Sequence, residues 1–166
     1  GALTLNGVAN SVGAIFNGSV SLMGNTTITT TSSPILFART INGPYSLTVT
    51  TGAAAGGSVS IGGVVGGTSL LTGLTVTGPT TISANINTSG AQTYTGAITL
   101  ASQVALTTLD SDIRINTSLD AQTSGGQSLI VNQGLGTLYV NGTLGGLTKL
   151  SSLTITGKAD LTYGVS

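Results

Sequence analysis

The sequence predicts an all-β protein, a parallel β-solenoid of about six to eight coils, and three observations carry that prediction. Apolar residues recur in alternating pairs with a small polar residue between them. No window of helical length places apolar residues at i, i+3, i+4 and i+7. The chain also repeats itself over about 80 of its 166 residues. Alternation alone also allows a β-sandwich of Greek-key type, which stands as the alternative fold.

The pairs follow one another along the whole chain. They are Leu3/Leu5 in "GALTLNG", Val20/Leu22 in "GSVSLMG", Leu47/Val49 in "SLTVTTG", Val59/Ile61 in "SVSIGG" and Leu74/Val76 in "GLTVTG". Then come Ile98/Leu100, Ile113/Ile115, Leu129/Val131, Leu138/Val140 and Leu153/Ile155. Period 2 with β-branched residues is the mark of a strand, because successive side chains point to opposite faces. The runs end in Gly or Asn-Gly, and Pro34, Pro44 and Pro79 all fall between runs. Strands of about three to six residues follow.

Repetition favours the solenoid. "VGGTSLLTGLTVTG" (65–78) lies on "LGGLTKLSSLTITG" (144–157) at an offset of 79. "SLTVTTGAAAGGSVSIGG" from Ser46 pairs with "SLIVNQGLGTLYVNG" from Ser128 after a deletion in a Gly/Ala loop. "GAIFNGSVSL" from Gly13 pairs with "AQTYTGAITL" from Ala91 at offset 78. One domain, residues 1–166, thus holds about two repeats: a partial one at approximately 1–73, a second at 74–152, and the start of another at 153–166. A unit this long suits three or four coils of ~20–27 residues, stacked ~4.8 Å apart, and a rod about 30–40 Å long. Leu, Ile and Val then line the inside, Thr and Ser the outside, and Gly and Asn the corners. In "LTVTG" this places Leu74 and Val76 inside, with Thr75 and Thr77 outside.

Composition limits what such a rod can do. Only 5% of residues are charged, four basic and four acidic, with no net charge. Four scattered cations cannot replace the counterions of a polyanion, so nucleic acid is not an expected partner. No apolar run reaches the ~18 residues of a membrane-spanning helix. There is no Cys, so stability must come from regular structure. The chain opens on Gly1 inside a patterned segment, which reads as a processed or excised chain without a signal peptide.

Reactive chemistry finds little to use. His, Cys and Glu are absent, so the usual general bases and soft nucleophiles are missing, and the chain reads as a non-enzyme without metal or cofactor. Asp110 and Asp112 in "LDSDIR" resemble the carboxylate pair of a polysaccharide-acting site or a calcium site. As strand residues two apart they would share a face, where Arg114 neutralises them. The Gly-rich stretches lack the Lys-Ser/Thr of a phosphate loop and read as corners. Five sequons (Asn17, Asn25, Asn87, Asn116, Asn141) are candidate glycosylation sites. Thr-x-Thr phrases such as "TTITTT" and "LTVTT" suggest hydroxyl arrays that order water, as in ice-binding proteins. That needs one phrase per coil, and their spacing along the sequence is irregular. Tyr45, Tyr94, Tyr139 and Tyr163 are dispersed, two of them beside corners, where they cap the core edge or stack on sugars.

"SLTVTG", "TSGAQTYTGAITLASQVALTT" and "GTLYVNGTLGG" resemble the repeats of bacterial surface proteins of the filamentous-haemagglutinin and autotransporter-passenger kind. That resemblance implies a secreted right-handed parallel β-helix on the cell surface, serving adhesion, biofilm or filament scaffolding. The expected role is a structural, self-associating subunit of an extracellular filament or stalk. Its partner is itself, head to tail, or the adjacent repeats of a longer chain. "GALTLNG" begins the chain in the phase of "SLTITG", so Leu3, Leu5, Leu153, Ile155, Leu161 and Tyr163 are the candidate end-to-end contacts. An adhesin segment for glycans or surfaces is the alternative, with ice binding and a polysaccharide-acting enzyme behind it.

Overall fold

The computed structural model describes residues 4–5, 13–52 and 56–161. Alternation becomes strand wherever it occurs, and the strands wind three to a turn. The first coil holds β1 (Thr4–Leu5), β2 (Ala14–Phe16) and β3 (Val20–Ser21), and the second β4 (Thr26–Thr30), β5 (Ile35–Phe37) and β6 (Ile41–Asn42). The third holds β7 (Ser46–Thr51), β8 (Val59–Ile61) and Val65, which bridges to the coils on both sides. The fourth holds β9 (Gly73–Thr77), β10 (Thr80–Ile82) and β11 (Ile86–Thr88), and the fifth β12 (Gln92–Tyr94), β13 (Ile98–Leu100) and β14 (Val104–Thr108). The sixth has β15 (Ile113–Ile115), β16 (Leu119–Ala121) and the first half of β17 (Ser128–Val140). The second half of β17, a bridge at Leu144 and the first half of β18 (Ser152–Leu161) make the seventh. The end of β18 begins an eighth turn on the first face.

Every strand pair among the described residues is parallel, so the sandwich is excluded and the fold is a β-solenoid. Three faces result. On the first, Leu5, Ile28, Val49, Val76, Tyr94, Ile115, Val140 and Leu161 form one column, one residue per coil. On the second, Ala14, Ile35, Val59, Thr80, Ile98, Leu119 and Leu144 do the same. On the third the column is Val20, Ile41, Val65, Ile86, Leu106, Val131 and Ile155. Apart from the end coils these positions are buried, and the three columns meet along the axis as one core. Phe16 and Phe37 stack there in adjacent coils, centroids 4.9 Å apart.

β17 and β18 are longer than the sequence predicts, because each runs unbroken round a corner instead of stopping at it. The register between them shifts between Asn132 and Thr137, where Gly134 takes φ +58° and Gln133 turns its side chain inward to donate to the Lys158 carbonyl. Coil length varies from 18 to 27 residues, measured between successive members of the Leu5–Leu161 column. Loop length absorbs the variation, so strand register does not.

The strand map shows what the sequence repeat does in space. Leu74 sits on the first face, but its repeat mate Leu153 sits on the third. Val65 (third face) matches Leu144 (second), and Phe16 (second) matches Tyr94 (first). Each match is eleven strand positions apart, three coils and two thirds, so a repeat returns turned back by one face. The three or four coils per repeat expected from the sequence are three and two thirds.

Candidate functional site

The C-terminal coil is built differently from the coils beneath it. Leu129, Val131 and Val140 are fully buried, while Leu153, Ile155 and Leu161, the next members of the same columns, are half-buried or exposed, Leu161 by 36%. β18 pairs only with β17 among the described strands, so its outer edge carries unused N–H and C=O groups over a strip of core side chains. At the other end Phe16 and Val20 are the half-covered members of their columns. Leu5 heads the column that Leu161 ends, and Leu153 and Ile155 lie on another face. Leu3 and Tyr163 lie outside the described residues. Phe16 was not among the sequence candidates. Its only signal is membership of the first coil.

Three of the four acidic residues hold coils together. Asp110 and Asp112 lie in a corner and not on a strand. Asp110, at φ +54°, accepts from the Leu135 N–H at 2.8 Å, and Asp112 accepts from Thr137 N–H at 3.0 Å. Asp120, buried, accepts from the N–H groups of Leu147 and Thr148 at 2.9 and 3.2 Å. Asn25, Asn42 and Asn85 serve in the same way, each carbonyl oxygen taking an N–H one coil on. An acceptor at a corner thus satisfies backbone donors that the strand ladder cannot reach. Arg114 pairs with Asp112 at 2.7 Å, as its spacing suggests, and lies over the Tyr139 ring at 4.2 Å.

Among the tyrosines, Tyr94 is the last residue of β12 and so lies beside a corner as expected, but it is wholly inside, on a column of aliphatic residues, and not exposed to a sugar. Its hydroxyl donates to the Gln92 carbonyl oxygen at 2.9 Å, and the Gln92 amide donates to Thr107 O at 2.9 Å, closing a buried polar network. Tyr45 packs half-buried against the core. Of the sequon residues, Asn17 is exposed, Asn25 and Asn87 spend their side chains on backbone bonds, and Asn141 donates to Asn116 one coil below.

The first face carries a feature that sequence spacing hid. Thr27, Thr48, Thr75 and Thr93 are separated by 21, 27 and 18 residues, yet they stand in one outward column over four consecutive coils. Thr29, Thr50 and Thr77 form a second column beside it. Thr95 extends it, its N–H bonded to the Val76 carbonyl. The irregular spacing noted in the sequence is loop length, and the register removes it. Beyond Thr93 the first column continues as Arg114, Tyr139 and Asp160.

The chain matches no protein-family model, no curated protein and no solved structure.

Proposed function

We propose that the chain is a structural rod of a bacterial cell-surface filament or stalk, lengthening end to end by adding the coil of a second copy to β18. The observation that carries this reading is the pair of half-covered ends. Among the described residues, Leu153, Ile155 and Leu161 at one end and Phe16 and Val20 at the other are half-covered core-column residues with a paired coil on one side. A strand edge over such a strip gains both ladder hydrogen bonds and apolar burial when another coil lands on it, a contact of the β-addition type. A head-to-tail contact of this kind does not close on itself, so it yields fibres. The low charge leaves little repulsion to oppose stacking. Placement outside the cell rests on the resemblance to filamentous-haemagglutinin and autotransporter repeats.

The test is assembly of the purified chain followed by sedimentation and electron microscopy. Fibres are expected from the wild type, and Ile155→Lys is expected to give a folded monomer, because the lysine occupies the seat without disturbing a buried coil. A wild-type chain that stays monomeric over a wide concentration range overturns the proposal. Glycan-array binding by that monomer would put an adhesin segment in its place.

A further inference from the structure

We infer that the double threonine column of the first face binds ice. Eight outward positions on four consecutive coils are all Thr: Thr27 and Thr29, Thr48 and Thr50, Thr75 and Thr77, Thr93 and Thr95. Neighbours along a column are a coil apart, ~4.8 Å, and the two columns are two residues apart along the strand, ~6.6 Å. The backbone ladder fixes both spacings, and the β-branched side chain is stiff about χ1, so the lattice is rigid before any ligand arrives.

High β-propensity does not account for this arrangement, since it acts on every face alike. The second face presents Ile15, Leu36, Ser60, Thr81 and Thr99 outward. The third presents Asn87, Ala105, Thr107, Ile130, Asn132 and Thr154 among others. Only the first face keeps one residue type at both outward positions through four consecutive coils. The hydroxyls also differ in use. Thr26, Thr30, Thr80, Thr88 and Thr108, which point inward, all donate to backbone carbonyls. Of the eight outward ones only Thr95 does so, at 3.4 Å, so seven hydroxyls are left to solvent.

The chemistry selects the ligand. The array holds no charge, so it offers nothing to a phosphate, a polyanion or a cation. It holds no aromatic ring on which a sugar could stack. It repeats in two dimensions at a few ångströms, and the matching surface is an extended lattice of hydrogen-bonding oxygens on that scale. Ice is such a lattice. The hydroxyls bond to its oxygens, and the methyl groups hold the intervening water in place.

The experiment is ice partition of the fluorescently labelled full chain into a slowly growing ice hemisphere, together with inhibition of recrystallisation. The wild type is expected inside the ice. Thr48→Lys and Thr75→Lys, singly and together, are expected to lose incorporation while keeping the β circular dichroism and the sedimentation of the wild type. Thr81→Lys and Thr99→Lys on the second face are expected to retain it. Exclusion of the wild type from ice overturns the inference whatever the variants do. Equal loss on both faces overturns it as well.

Discussion

Single residues set this fold where a polar group must live inside or at a corner. Asp120 and Asp110 are spent on N–H groups a coil away, and the sequence shows no sign of it, because the partners lie 25 to 28 residues downstream. Tyr94 is the sharper case. Alternation with Gln92 places both inside, but polarity argues for the surface, and only the hydroxyl-to-amide bond between them resolves the conflict. Burial pushes the Tyr94 phenol far above its ordinary value, whereas the unfolded chain ionises near ~10. A folded pKa above the unfolded one gives stability that is full below the unfolded value and falls as pH rises past it, since only the unfolded chain releases the proton. Tyr94→Phe is therefore expected to cost about 1–3 kcal/mol near neutrality, from the stranded Gln92 oxygen. That deficit is expected to narrow by about 1 kcal/mol between pH ~10 and ~11. Denaturant titrations of both chains at several pH values check this, and parallel pH curves would refute it.

At the scale of the strand, burial depends on having a coil on both sides. Leu106 sits between Ile86 and Val131 in the third-face column, fully buried. Ile155 is the last described member of that column, with Val131 on one side. Leu106→Ala is expected to cost about 2–5 kcal/mol by opening a cavity the flanking coils cannot close. Ile155→Ala in the monomer is expected to cost under about 1 kcal/mol, because water already reaches the site. Urea unfolding of the two variants measures the contrast, and equal losses would mean that β18 is covered in the isolated chain. The alternating pairs from Val20/Leu22 to Leu153/Ile155 were legible as strands because two-residue periodicity needs no knowledge of partners. The inward threonines, Thr26 and Thr80, were not legible, since their hydroxyls are satisfied by the backbone and only the fold supplies it. The alignment of the Thr-x-Thr phrases into columns was hidden for a related reason. Register is a property of stacked coils, and loops of unequal length scramble it along the chain.

Across the described strands the eleven-strand repeat and the three-strand turn are out of step, and on the proposed end-to-end assembly this sets how copies would join. The described strand positions, from β1 to the end of β18, number twenty-two, two repeats of eleven and seven coils with one strand over. A second copy that continues the spiral strand for strand must therefore advance about 35 Å and turn by one face, about 120°. In that arrangement its β2 lands on the first half of β18, Phe16 over the Leu153–Ile155 strip, and its β3 lands on the end of β18, Val20 beside Leu161. The half-covered residues of the two ends then cover one another. The unturned alternative sets Leu5 on Leu161, as the matching phrases "GALTLNG" and "SLTITG" suggest, and leaves the other two faces a strand short. Helical reconstruction of the fibres distinguishes them by the rotation per subunit. Cross-linking does so independently, since the chain has no cysteine of its own. In the turned register Ile15→Cys and Thr154→Cys of neighbouring copies come within disulfide reach, at the ~4.8 Å spacing of stacked strands. In the unturned one the pair is Thr4→Cys with Asp160→Cys. Intermolecular disulfides from the first pair and none from the second are expected, and the reverse result would require the copies to stack without the turn.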